Sequence, residues 1–150
     1  METKGKQKRL DLFLIATSLL LLTIVYVFQQ WDYLNFMAGV FGASTGFGPT
    51  AAFIFNKTFR LIMNDALCFL LIYALFREKR YLKVAFLVFC FELFLMLPLY
   101  LTVKLSLEGS SEISSPLLSQ IHRLVVNPML MLILIVAFYY QRFWVKERKE

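Results

Sequence analysis

The chain has 150 residues, 59% of them hydrophobic and only 17% charged, with a mean hydropathy of +0.66 and a formal charge of +6. A soluble domain this small could not hide such an apolar load inside itself, so the composition excludes an ordinary aqueous globule and makes lipid part of the solvent. The basic excess does not indicate a nucleic-acid partner, because Lys and Arg stand in short clusters beside apolar runs and form no stripe interleaved with exposed aromatics.

In chain order, Lys4, Lys6, Lys8 and Arg9 precede the apolar run Leu10–Phe28. That run exceeds the roughly 7–15 residues of a cleaved signal peptide's apolar core, which predicts an uncleaved anchor helix. A spanning helix needs about 20 mostly apolar residues, since each backbone amide must be satisfied inside the helix where water is absent. Four stretches qualify: Leu10–Phe28, Phe59–Phe76, Tyr81–Val103 and Leu124–Phe143, the second near the short limit and the third interrupted by Pro98. The predicted fold is therefore all-α: a single polytopic membrane domain with outer loops 29–58 and 104–123 and a short cytoplasmic loop, 77–80.

Orientation follows from the cations, which are enriched in short cytoplasmic segments. Four precede the first span, four (Arg77, Lys79, Arg80, Lys83) join the second to the third, and four (Arg142, Lys146, Arg148, Lys149) follow the fourth. Only four of the sixteen are left for the outer connections. Both termini are expected in the cytoplasm, with Tyr139, Tyr140 and Trp144 at the inner interface. The connection 29–58 carries no charge between Asp32 and Lys57 and holds Gly39, Gly42, Gly46 and Gly48. A fifth span there would turn the Arg77–Lys83 cluster outward, so a glycine-rich loop on or dipping into the outer leaflet is expected instead. Ser114-Ser115-Pro116 reads as a cap followed by a first-turn proline, starting an outer amphipathic helix with Leu117, Leu118, Ile121, Leu124 and Val125 on one face before the chain dives at Asn127-Pro128.

Ionisable groups within spans are costly and need partners or a wet cavity. Arg60, Asn64 and Cys68 follow at four-residue steps on one face of the second helix, with Asp65 adjacent. Glu92 lies in mid-third span, and His122, Arg123 and Asn127 line the outer end of the fourth. Arg60 and Arg123 are expected to meet Asp65 and Glu92 in one outer polar group. Such a group could simply hold helices together, as interhelical hydrogen bonds do, or it could face a partner protein or a lipid-linked substrate. Cys68, His122 and an arginine also supply the nucleophile, base and oxyanion stabiliser of a thiol transpeptidase. Against this, a cysteine inside an apolar run, as both Cys68 and Cys90 are, is more often a packing residue, and no disulfide framework is implied. Pro98 releases the carbonyl of Phe94 and is expected to kink its helix. No GxxxxGK, GxGxxG, HExxH or CxxC pattern is present, so neither a cofactor nor a metal is expected.

His122-Arg123-Leu124-Val125-Val126-Asn127-Pro128, ending in Ala137-Phe138-Tyr139-Tyr140-Gln141-Arg142, resembles the last span of the small exosortase-associated membrane proteins of bacteria. Arg60-Leu61-Ile62-Met63-Asn64-Asp65, with Tyr73-Ala74-Leu75-Phe76 and a basic turn, resembles their second span. The similarity runs from about Asn56 to Arg142, whereas Met1–Phe55 shares only an anchor helix and an outer loop. His122-Arg123 and Asn127-Pro128 look more like the X-type system's partner than the F-type one. The resemblance implies a bacterial cytoplasmic-membrane companion of an exosortase, a polytopic cysteine transpeptidase that processes proteins carrying a C-terminal sorting signal. It also implies importance for Arg60, Asn64, His122, Arg123 and Asn127, while Cys68 belongs to no motif of that family. The leading expectation is a non-catalytic accessory protein binding the sorting enzyme or its substrate. A small transporter or channel component, for which Glu92 and Pro98 are the relevant features, is the alternative, and a Cys68 transpeptidase is the third.

Overall fold

The computed structural model describes residues 2–41, 46–110 and 115–147, and among these there are helices and no strand. The elements are α1 (Glu2–Val27), α2 (Tyr33–Phe41), α3 (Pro49–Phe76), α4 (Lys79–Phe91), a π-helical segment (Glu92–Met96), α5 (Leu97–Leu107), α6 (Pro116–Val126) and α7 (Met129–Glu147). Gly42, Ser114, Arg148 and Lys149 lie outside the described residues.

Three helices are long and apolar enough to cross a membrane: Lys6–Val27, Pro49–Phe76 and the continuous run Lys79–Leu107. The pair α6 and α7, bent by 56°, makes a fourth if it counts as one broken span. Large apolar side chains face outward along all of them, including Leu12, Phe13, Phe94 and Val136. An outward apolar surface on such long helices needs a non-aqueous cover.

The elements start and stop where local chemistry dictates. At α3, Gly48 is extended and Pro49 occupies the first turn, where its missing N–H would be unpaired in any case. The helix therefore begins ten residues earlier than the predicted Phe59 and reaches 28 residues, about 42 Å at 1.5 Å per residue. The predicted loop 29–58 is accordingly mostly helical. Asp32 caps α2, its Oδ1 accepting the Asn35 N–H at 3.2 Å. Between α3 and α4 only Arg77 and Glu78 are non-helical, with Arg77 in a left-handed conformation (φ 53°, ψ 19°) and its N–H on the Tyr73 carbonyl. The predicted loop 77–80 is thus shorter, since Lys79 and Arg80 already belong to α4.

The third long helix passes through Pro98 without the expected interruption. A widened turn precedes the proline, in which the Leu97 N–H reaches back to the Glu92 carbonyl, and Pro98 itself lies on the exposed side. The extra residue in that turn re-phases the buried stripe. Tyr81, Ala85 and Glu92 are buried on one side of it, and Leu97, Tyr100 and Lys104 continue the same face after a step of five. The helix runs to Leu107, so Lys104, expected in an outer loop, is wholly buried, with its ammonium 2.9 Å from Glu108.

The last helix, α7, begins later than Leu124, where the fourth span was predicted to start. A residue preceding proline is driven out of the α region, and Asn127 is accordingly extended (φ −93°, ψ 150°), ending α6. The chain restarts as α7 with the Leu132 N–H on the Pro128 carbonyl. The predicted amphipathic helix is present, but its buried stripe is Leu118, Val125 and Val126, whereas Leu117 and Leu124 face outward.

Packing divides into two layers. Near the α3–α4 turn, Phe76, Tyr81 and Phe138 form an aromatic triad with centroids 4.7–5.8 Å apart, and Cys68, Ile72, Ala85 and Met131 extend that core. At the other end Leu61, Leu97, Tyr100, Leu118, Val125 and Val126 form the second cluster. Arg77 pairs with Asp11 of α1, and the Arg142 guanidinium of α7 reaches the Leu75 carbonyl, so these parts of α1 and α7 lie at the aromatic end of the bundle.

Candidate functional site

The break between α6 and α7 strips the Val126 carbonyl of a helical partner, and α3 supplies a replacement. The Asn64 side-chain amide donates to that carbonyl at 3.1 Å. One turn earlier on the same face, Arg60 donates to the Asn127 side-chain oxygen, to the Gln29 carbonyl at 3.2 Å and to Gln29 Oε1 at 3.3 Å. Arg60 is 3% exposed, and its Nε has no hydrogen-bond partner. The four-residue spacing of Arg60 and Asn64 thus fastens the end of α1 and the broken helix to a single face of α3.

Outward of Arg60 lies a pocket of about 660 Å³ whose wall includes Gln29, Trp31, Asp32, Lys57, Arg60 and His122. Its rim is built by a clasp between α2 and α3. Asn56 donates to Asp32 Oδ1 at 2.9 Å and accepts the Leu34 N–H at 2.9 Å. The Asn56 amide, aided by the Asn35 and Leu34 N–H groups, holds the Asp32 carboxyl below its ordinary value against a smaller opposing effect of burial. At the pocket wall the Lys57 ammonium sits 5.4 Å from the Phe53 ring centroid, and that of Lys104 behind it 6.0 Å away, both within cation–π range. His122 Nδ1 and the Tyr100 hydroxyl are hydrogen-bonded at 2.8 Å, joining α6 to α5.

On the other side of Arg60 a second, largely apolar crevice of about 370 Å³ runs between α1 and the start of α7. Leu19, Leu22, Met129 and Leu132 line it, and Arg60, Asn64 and Asn127 form its polar end.

Of the residues singled out in the sequence, Arg60, Asn64 and Asn127 are brought together, and His122 joins Arg60 at the pocket wall. The expected meeting of Arg60 and Arg123 with Asp65 and Glu92 does not occur. Arg60 is taken up by Gln29 and Asn127, and Arg123 lies on the exposed side of α6. Asp65 and Glu92, both buried, instead interact with each other beside the widened turn. Cys68, fully buried, has these two acids as its charged neighbours, whereas His122 is bonded to Tyr100, so cysteine and histidine belong to different packing groups. Among the described residues no three His, Cys, Asp or Glu side chains converge as metal ligands would.

Gln29, Asn56, Lys57 and Tyr100 are site residues that the sequence reading missed. Asp32 preceding the helix with Asn35 three residues on was a usable capping signal. The partnership of Tyr100 with His122 left no trace in spacing, because it depends on how α5 meets α6. Compared with family models, with curated proteins and with solved structures, the chain matches none of them.

Proposed function

We propose that the chain is a four-span protein of a bacterial cytoplasmic membrane, with both termini in the cytoplasm and the polar pocket at the outer face. In this reading it acts without catalysis, as an accessory subunit of an exosortase-type sorting system, by offering the pocket to the sorting enzyme or its cargo. The observation that carries the reading is the convergence of Arg60, Asn64, His122 and Asn127, four of the five positions of resemblance to exosortase-associated proteins, around one pocket and one broken helix, with Arg123, the fifth, on the exposed side of α6. Placing such a costly set of groups in an apolar bundle is understandable if a partner uses them, and a loop-edged pocket on a rigid scaffold is a common place for recognition.

The test is co-purification of the tagged protein from gently solubilised membranes. Recovery of a polytopic exosortase-type enzyme with the unaltered chain, and its loss with Lys57→Gln or His122→Ala, is the expected result. Repeated recovery of the chain without such an enzyme counts against it.

The transporter reading draws on a different observation, the Asp65–Glu92 pair beside the widened turn. Buried carboxyls in a span mark ion pathways in many carriers. Cation flux into liposomes that Glu92→Gln abolishes would favour that reading over the accessory one.

A further inference from the structure

We infer that the outer pocket and the lateral crevice form one binding site for a single phosphate-bearing lipid, with the headgroup in the pocket and one hydrocarbon chain in the crevice. The inference deepens the proposed function and rests on its placement of these helices in a bilayer.

Arg60 lines both spaces, forming their common wall. The pocket side is polar and cationic. Lys57 and Arg60 face one acid, Asp32, whose oxygens already accept from Asn35 and Asn56. An anion entering there meets two positive groups, with the negative one screened by its own hydrogen bonds. Arg60 is almost wholly buried, and its Nε has no hydrogen-bond partner. Its terminal nitrogens are held by Gln29 and Asn127, so toward an anion in the pocket it acts as a fixed positive charge beside Lys57. The crevice side is hydrocarbon, and an apolar cavity of this kind takes an alkyl chain in preference to water. α1 packs mainly on α3, which leaves the crevice between α1 and α7 open along the bundle's flank. A free anion would use the pocket alone and a neutral lipid the crevice alone. Only an anionic amphiphile satisfies both at once.

Trp31 in the pocket wall gives the readout. In nonionic detergent, a Trp144→Phe chain, leaving Trp31 as sole tryptophan, is titrated with short-chain phosphatidylglycerol, with phosphatidylcholine of the same chain length, and with inorganic phosphate. Saturable quenching or enhancement is expected with phosphatidylglycerol, and binding about tenfold or more weaker with each of the others, corresponding to about 1.4 kcal/mol or more. Lys57→Gln should weaken the phosphatidylglycerol response without disturbing the Arg60 contacts that hold the helices. Thr23→Phe, which adds bulk to the crevice from an exposed position on α1, should weaken lipid binding and leave any response to phosphate unchanged. Equal binding of phosphate overturns the amphiphile, equal binding of phosphatidylcholine overturns the anionic headgroup, and no response to any of the three overturns the site. Because the purified chain is used alone, failure here leaves the co-purification result standing, and failure to recover an exosortase leaves this titration standing.

Discussion

Arg60 holds together three segments that the chain separates widely. Its guanidinium joins Gln29 beyond the end of α1 to Asn127 at the α6–α7 break, while Asn64 covers the Val126 carbonyl one turn deeper. Removing one member leaves buried partners unsatisfied, which costs more than the net value of the bond. Asn64→Ala is expected to lower stability in detergent by about 1–2 kcal/mol, read from thermal unfolding. In a cycle of Arg60→Ala, Asn127→Ala and the double variant, the coupling energy is expected at about 1 kcal/mol, and additive effects would show that the contact carries no energy of its own. Asp32 provides a pH dependence of definite sign. Its carboxyl is held below the ordinary value, chiefly by the Asn56 amide, so the clasp on α2 is at full strength above the unfolded-state value of about 3.9 and is lost as pH falls through the lower folded value. Amide exchange in Tyr33–Phe41 should accelerate below about pH 4 relative to the core of α3, and Asp32→Asn should remove that difference between pH values.

At the scale of elements, the widened turn at Glu92–Met96 decides which side of the third long helix faces the bundle. An α-helix turns about 100° per residue, so without the extra residue Leu97, Tyr100 and Lys104 would rotate away from the face that Tyr81 and Ala85 define. Two deletions separate this from a general tolerance of change. Removing the exposed Leu95 together with Pro98→Ala should let the helix run as a continuous α-helix with both buried sets still aligned. Removing the exposed Leu87 should turn everything after it out of register and abolish a monodisperse species on size-exclusion chromatography. Equal outcomes would show that the turn does not set the phase. The same element explains where the sequence could be read and where it could not. Each half of the helix has a helical period of its own, and no single period fits both, so Pro98 was visible as a perturbation while its consequence, the inward turn of Lys104, was not. The Arg60–Asn64 step and the Asn127-Pro128 break were legible because both are local signals. The partner of Arg60 was not, because it depends on the level at which α3 stands against α7, and that level follows from a start at Pro49 obscured by the glycines before it.

Over the whole molecule, the charge distribution and the packing converge on one arrangement. The aromatic triad, the Asp11–Arg77 pair and the reach of Arg142 to Leu75 gather the start of α1, the α3–α4 turn and the far part of α7 at one end. The same end carries the basic clusters at Lys6–Arg9 and Arg77–Lys83, while the pocket, with Ser110 in its wall, and the α2 clasp lie at the other. In the proposed membrane arrangement the cation-rich end is the cytoplasmic one. Single cysteines placed at exposed positions test this against a membrane-impermeant maleimide, since the native Cys68 is fully buried and Cys90 lies within a long apolar helix. Ser110→Cys should react in intact cells from which only the outer face is reachable, whereas Lys8→Cys and Lys79→Cys should react only after the membrane is opened. The outcome depends on all the helices at once: a reversed bundle would exchange the two reactivities, and an odd number of crossings between Lys8 and Lys79 would place those two sites on opposite faces.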